Sequence, residues 1–280
     1  MKDLKDRMME DMKLRSLAPG TQKGYLDAIT ALAEHYHRRP DQLSQEQIRD
    51  YLLYLIGTRK FAKSTFKIHL SALKFLYRRT LGRPWPVLEL PRIKTEKKLP
   101  VVLSREEVWS VLDRVRRPQA RMSLILMYTC GLRVSEALHL RIQDIDSQRM
   151  VVWVRNGKGD KDRSVPLPQQ TLTQLRAYWA EYRPTTWLFP TKAGTTTIRS
   201  GAVRCCLKAA LWETAIRKNV GCHTLRHSYA THLLEAGVHL RAIQALLGHR
   251  SLKTTFIYMH LTQSTMADVQ AQVNKVMARG

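Results

Sequence analysis

Between Gly57 and Leu88 the sequence contains no aspartate or glutamate, yet the same span holds Arg59, Lys60, Lys63, Lys67, Lys74, Arg78, Arg79 and Arg83. A run of charge usually marks only a solvated face. A run without counter-charge leaves a field that an external polyanion must neutralise. The shortage of acid extends to the whole chain of 280 residues, where 23 Asp+Glu stand against 47 Lys+Arg for a formal net charge of +24. That excess argues against an enzyme of small neutral molecules and for a nucleic acid, because each cation at a phosphate releases a condensed counterion. Other absences narrow the choice. No run approaches the ~18 apolar residues of a membrane span, so a membrane is the weaker polyanion. The opening Met1-Lys2-Asp3-Leu4-Lys5-Asp6-Arg7 mixes both signs and lacks the apolar stretch of a signal peptide. Cysteine is sparse, limited to Cys130, Cys205, Cys206 and Cys222, with no CxxC pair. A disulfide framework or zinc site is therefore not expected, which fits a reducing cytoplasm and a place beside the nucleoid.

What is present is mainly helical patterning. Leu4, Met8 and Met12 fall on one side of a first helix, and Tyr25, Ile29, Leu32 and Tyr36 recur at helical steps. Ser44 with Gln47 forms a capping box ahead of Ile48, Tyr51, Leu52 and Leu55, and Ser64 is expected to open a further helix bearing Leu70, Leu73 and Tyr77. Pro84, Pro86, Pro91 and Pro100, interleaved with Lys94, Lys97 and Lys98, mark a basic linker. The expected organisation is a helical domain over 1–88, a linker over 89–103, a second domain over 104–265 and a tail over 266–280. Ser104-Arg-Glu-Glu starts the second domain, and two helical stretches follow to about Leu140. Met150–Val154 and Ser164–Leu167 are β-type runs around the turn-forming Asn156-Gly157-Lys158-Gly159-Asp160. Helical patterns resume from about Leu172. The fold class is thus mainly α with a small β-sheet.

Several segments carry residues suited to phosphate chemistry. His223 and Arg226 share a helix face at a spacing of three, placing a permanent cation beside a group that moves protons near neutrality. Leu240–Leu247 reads as a helix stopped by Gly248, with His249 in the turn. Ser251 can cap a following helix carrying Tyr258, which the turn returns toward His249. Tyr229, on the helix of Arg226, reads as core. Arg133 follows Gly131-Leu132 near a helix N-terminus, where backbone N–H groups favour anions. Lys158 sits between two glycines at a hairpin tip.

In order, these are Arg133, Lys158, His223-x-x-Arg226, Gly248-His249 and Tyr258. The chain resembles the tyrosine recombinase (phage integrase) family, most nearly its bacterial Xer-like members. The resemblance rests on Tyr128-Thr-Cys-Gly-Leu-Arg-Val-Ser-Glu136, Gly157-Lys-Gly-Asp-Lys-Asp-Arg163, His223-Thr-Leu-Arg-His-Ser-Tyr-Ala-Thr-His-Leu-Leu234 and Leu246-Leu-Gly-His-Arg-Ser-Leu-Lys-Thr-Thr-Phe-Ile-Tyr258. It covers essentially the whole chain. It implies an N-terminal SAM-like core-binding domain, here with Lys60, Lys63, Lys67, Lys74, Arg78 and Arg79 toward DNA, and a C-terminal catalytic domain. It also implies site-specific cleavage and rejoining of double-stranded DNA through a 3′-phosphotyrosine, with no metal, cofactor or ATP.

By the same resemblance Tyr258 is the nucleophile, Arg133 and Arg226 clamp the phosphate, and His223 is the base. His249 donates to a phosphate oxygen, Lys158 protonates the leaving 5′-oxygen, and Glu136 orients the site from behind. A homotetramer on DNA is implied, with the Met266, Val269, Val273 and Met277 stripe of the tail docking on a neighbouring protomer; an accessory protein or a second recombinase is a further possible partner. Rival readings are a catalytically inactive DNA-binding relative, a type IB topoisomerase and a metal-dependent nuclease using Asp144, Asp146, Asp160 and Asp162. The intact set of polar residues disfavours the first, the size and motifs disfavour the second, and turn-like DxD pairs are weak evidence for the third.

Overall fold

A computed structural model describes residues 2–83, 99–155, 162–249 and 251–260 of the chain. Lys158, Asp160, most of the proline-rich linker and the tail stripe lie outside these residues. The chain divides into two compact units, Met1–Lys97 and Lys98–Gly280.

The N-terminal unit is helical. α1 (Lys2–Leu14) buries the expected stripe of Leu4, Met8 and Met12, with Met8 and Met12 fully enclosed. Each such burial is worth about 1.5–3 kcal/mol over exposure, so a charge at position 8 would detach the helix. α2 (Pro19–Tyr36) starts on a proline, whose missing N–H costs nothing in a first turn, and buries Ala28, Ile29, Leu32 and Ala33. α3 (Gln45–Gly57) has the reciprocal capping box between Ser44 and Gln47 that the sequence predicts. α4 (Lys63–Phe75) begins one residue before the expected Ser64, with Ala62 at the cap and no side-chain bond there; Ser64 lies inside the first turn. A wider π-type turn, Leu76–Thr80, continues it and buries Tyr77, whose hydroxyl donates to the Pro40 carbonyl. Lys60, Lys63, Lys67, Arg78 and Arg79 are exposed and Lys74 is half-buried. Lys63, Lys67 and Lys74 recur at steps of four and seven and so share one side of α4.

The C-terminal unit has its own core. α5 (Arg105–Asp113) opens on a second capping box, Ser104 with Glu107. α6 (Pro118–Thr129) is buried almost all round, including Leu124, Ile125, Leu126 and Met127, as befits a central helix. A short third helix, α7 (Val134–Leu138), starts after Arg133, where the sequence reading places a helix N-terminus, although that reading gives only two helical stretches to Leu140. A small antiparallel sheet comes next: β1 (Ile145–Asp146), β2 (Val151–Val154) and β3 (Arg163–Pro166), in that spatial order. β1 is an addition to the two expected runs; two residues are too short for a periodicity to be seen. Val152, Val154 and Val165 face the core while Trp153 stands outward. α8 (Gln169–Tyr182) and α9 (Ser200–Trp212) pack on α6.

The remaining segments carry the candidate residues His223, Arg226, His249 and Tyr258. α10 (Cys222–Glu235) lies against α6. Its Ser228 hydroxyl accepts the Leu103 N–H at 3.0 Å, fixing the chain just before α5 to the middle of α10. α11 (Leu240–Leu247) ends, as predicted, on Gly248 in the left-handed conformation at φ 59°. Beyond it, α12 is a single turn (Leu252–Thr255), and Tyr258 rides on a 3-10 segment, Phe256–His260, instead of a continuous α-helix. The four cysteines are free thiols. Among the described residues no helix is long and apolar enough to cross a membrane.

Candidate active site

Three arginines converge on one carboxylate. Glu136, in the first turn of α7, accepts from the Arg133 backbone N–H at 2.8 Å and from Arg133 Nη1 at 2.5 Å. Arg163 forms a two-pronged pair with it, Nη1 to Oε1 at 3.0 Å and Nη2 to Oε2 at 2.8 Å. Arg226 Nη1 lies 3.5 Å from Oε2. Burial by itself would raise the Glu136 carboxyl, but the Arg163 and Arg133 hydrogen bonds outweigh it and hold the group at about 2. Glu136 is therefore anionic at any physiological pH, one negative charge among three positive ones.

The end of α11 aligns the same arginines. The last carbonyls of a helix have no intrahelical partner. Leu246 O accepts from Arg163 Nε at 2.9 Å, Leu247 O accepts from Arg226 Nη2, and Gly248 O accepts from Arg133 Nη2 at 3.4 Å. Three successive carbonyls thus take one guanidinium each. Arg226 also donates to Gly131 O at 2.6 Å. Arg226 is 4% exposed; burial brings its guanidinium down to about 10, with Arg133 pushing the same way, and it stays charged at neutral pH. Gly131 is required on its own account. Its φ is +62°, and an added Cβ would come within 2.5 Å of the Tyr229 ring.

The candidate nucleophile is enclosed. Tyr258 is 1% exposed, and its hydroxyl lies 3.0 Å from His227 Nδ1. Its ring stacks on His249 at 6.4 Å between centroids and 15° between planes, so the turn does return it toward His249. Burial pushes the phenol above its usual 10, while Arg226 and Arg133 pull it back in part. His249 Nδ1 is 3.0 Å from the buried Thr255 hydroxyl, which fixes the ring. Burial, reinforced by Arg226 and Arg133, lowers His249 from 6.5 to about 4; His227 falls to about 4 by burial and the neighbouring His223. His223 is exposed one turn before His227 on α10, and burial with Arg226 lowers it too. These imidazoles are neutral at pH 7, able to accept a proton or to donate one N–H.

Of the residues singled out in sequence, Arg133, Glu136, Arg226, His249 and Tyr258 come together, with His223 at the rim of the group. Two participants carried no role in that reading. His227 was within reach, since it lies four residues after His223 and so on the same side of α10. Arg163 had no such signal, because its partners come from α7 and α11. Two aspartates of the metal-nuclease reading, Asp144 and Asp146, have other work. Asp144 is buried, accepts the Arg141 N–H at 2.9 Å and pairs with Arg155 at 2.6 Å. Asp146 accepts two backbone N–H groups of its turn, from Gln148 and Arg149. Among the described residues no three acidic, histidine or cysteine side chains are grouped for a metal.

Residues 90–265 match the model of the phage integrase family, and residues 4–87 match a phage integrase N-terminal SAM-like domain. The chain belongs to the phage integrase (tyrosine recombinase) family. A putative integrase/recombinase of Sinorhizobium fredii is 44% identical to this chain over 263 residues, covering 93% of this chain and 85% of the relative. The tyrosine recombinase XerD of Staphylococcus aureus is 34% identical, covering 89% of this chain and 88% of the relative. Among solved structures, a dimer of lambda integrase residues 75–356 bound to a core DNA site shares the fold with a TM-score of 0.74 at 18% identity, over 92% of this chain and 94% of that one.

Proposed function

We propose that this chain is a site-specific DNA recombinase or integrase that cleaves and rejoins double-stranded DNA through a 3′-phosphotyrosine at Tyr258. The observation that supports the reading is the convergence of Arg133 and Arg226 on Glu136, with His249 and Tyr258 stacked on each other within the field of the same two arginines. A phosphodiester resists attack because its own charge repels nucleophiles. Arg133 and Arg226 supply two fixed cations for the non-bridging oxygens and for the additional charge of the transition state. His249, neutral, donates an N–H to the same phosphate.

The phenol of Tyr258, pushed above 10, needs a base. In the free protein His227 is the imidazole within reach of it; His223, exposed beside Arg226, faces the approach of the phosphate and serves as base once the tyrosine has turned to it. Lys158 protonates the departing 5′-oxygen. The phosphotyrosyl ester conserves the energy of the bond it replaces, so a second 5′-hydroxyl reseals the strand without ATP, and arginines and imidazoles take the part a metal plays elsewhere. The domain over 1–88 contributes Lys60, Lys63, Lys67, Lys74, Arg78 and Arg79 to the duplex, the linker over 89–103 joins it to the catalytic domain over 104–265, and the tail over 266–280 links protomers into a tetramer on DNA.

A nicked suicide substrate tests the activity. Covalent protein–DNA adduct in the presence of EDTA, with the protein on the 3′ end and none formed by Tyr258→Phe, is the expected result; adduct formation by Tyr258→Phe would overturn it.

A further inference from the structure

The charge cluster contains one arginine to which the mechanism assigns no step. Arg163 opens β3, is 12% exposed at its side chain, and meets Glu136 with both prongs of its guanidinium. Its Nε is spent on Leu246 O. A two-pronged pair fixes the plane of a carboxylate as well as its position. Without it, the carboxylate plane of Glu136 would be free to turn, and the guanidinium of Arg133, which Glu136 holds at 2.5 Å, would turn with it. The same side chain supports the turn before His249, because a Cβ on the left-handed Gly248 would lie 3.2 Å from Arg163 Cδ and Nη1. Arg163 thus touches both halves of the cluster, the arginine-bearing start of α7 and the histidine-bearing end of α11.

We infer that Arg163 is a positioning residue for strand cleavage: it locks Glu136, and through it the guanidinium groups of Arg133 and Arg226 that Glu136 holds, and it seats the Gly248–His249 turn. The inference rests on the DNA-cleaving reading above. Arg163 does not touch DNA in this role; it acts through Glu136 and the main chain of α11.

The test uses the full chain with Arg163→Lys, which keeps the charge and loses the fork, and Arg163→Gln, which loses both. Single-turnover adduct formation is followed on two suicide substrates, one with an ordinary scissile phosphodiester and one with a methylphosphonate there. The methylphosphonate has no negative charge and depends far less on a pair of aligned arginines. Arg163→Lys is expected to slow adduct formation on the phosphodiester by about 10- to 100-fold, the scale of a small misplacement of reacting groups. On the methylphosphonate the loss should be much smaller, with band-shift affinity for the duplex unchanged. A variant that is only less well folded loses the same factor on both substrates. Equal losses on both, or no loss on either, would overturn the inference, as would failure of both variants to melt cooperatively, which would make Arg163 a residue of the fold. Absence of adduct with the unsubstituted chain would instead overturn the functional reading.

Discussion

The hydroxyl of Tyr258 sits 3.0 Å from Nδ1 of His227, inside a side chain that is 1% exposed. The bond is made and the phenol is desolvated, so on the proposed reading the tyrosine has to leave a satisfied position before it attacks a phosphate. Tyr258→Phe should therefore abolish the DNA adduct and lower stability by only about 1 kcal/mol, the net worth of one hydrogen bond, with binding to the duplex nearly intact. His227→Phe should remove the retaining bond while filling the space. Adduct formation by His227→Phe should equal or exceed that of the unsubstituted chain, and His223→Phe should slow it; the reverse order in a single-turnover assay would make His227 the base.

Stability should depend on pH through the two most depressed imidazoles. His227 and His249 fall from 6.5 to about 4 on folding. Between those values the unfolded chain binds more protons than the folded one, so stability is fully present above pH 6.5 and is lost as pH falls toward 4, by up to about 1.4 kcal/mol per pH unit for each group. Glu136, at about 2, adds its own loss only below 4.5. Thermal melts should be level between pH 7 and 8 and drop steadily from 6.5 to 5. His249→Gln should flatten that slope, and an unchanged slope would show that the ring is not buried neutral.

DNA affinity should be steeply salt-dependent, falling by about 10³-fold or more between 50 and 200 mM salt if six or more phosphates are contacted. Lys67→Gln and Lys74→Gln should each reduce the slope of log affinity against log salt by about 1, equally on specific and unrelated duplexes. A slope unchanged by both would remove this side of α4 from the DNA interface.

Gly131→Ala should be costly despite adding one carbon. The left-handed conformation and the 2.5 Å approach to the Tyr229 ring together predict a loss of about 2–5 kcal/mol. Because Gly131 O is an acceptor for Arg226, adduct formation should fall further than the folded fraction does; denaturant melts alongside cleavage rates separate the two.

Much of this was legible from local signals. The Ser44 and Ser104 capping boxes, the Leu4–Met8–Met12 stripe and the Gly248 stop all depend on neighbours a few residues away, and each stands where sequence spacing puts it. Ser64 misled because Ala62 ends the preceding extended segment without any side-chain cap. The break of the last helix into one α-turn and a 3-10 segment was not legible, since it goes with burying Tyr258 against α10 and α11. Arg163 was invisible for the same reason. Its partners lie 27 and 83 positions away, and no periodicity spans such distances.

The three carbonyls at the end of α11 have an implication for how this sequence can drift. Leu246 and Leu247 hold Arg163 and Arg226 with backbone oxygens, which every amino acid possesses. The acceptors therefore cannot be deleted by exchanging a side chain, only by unwinding the helix or moving its stop. A saturation scan should find position 246, which is half-buried, permissive for apolar and many polar residues, while position 248 admits little besides glycine and position 163 little besides arginine. Over generations the neighbourhood of the cluster can change its composition widely while the donors, and the glycine that ends the helix beneath them, stay in place.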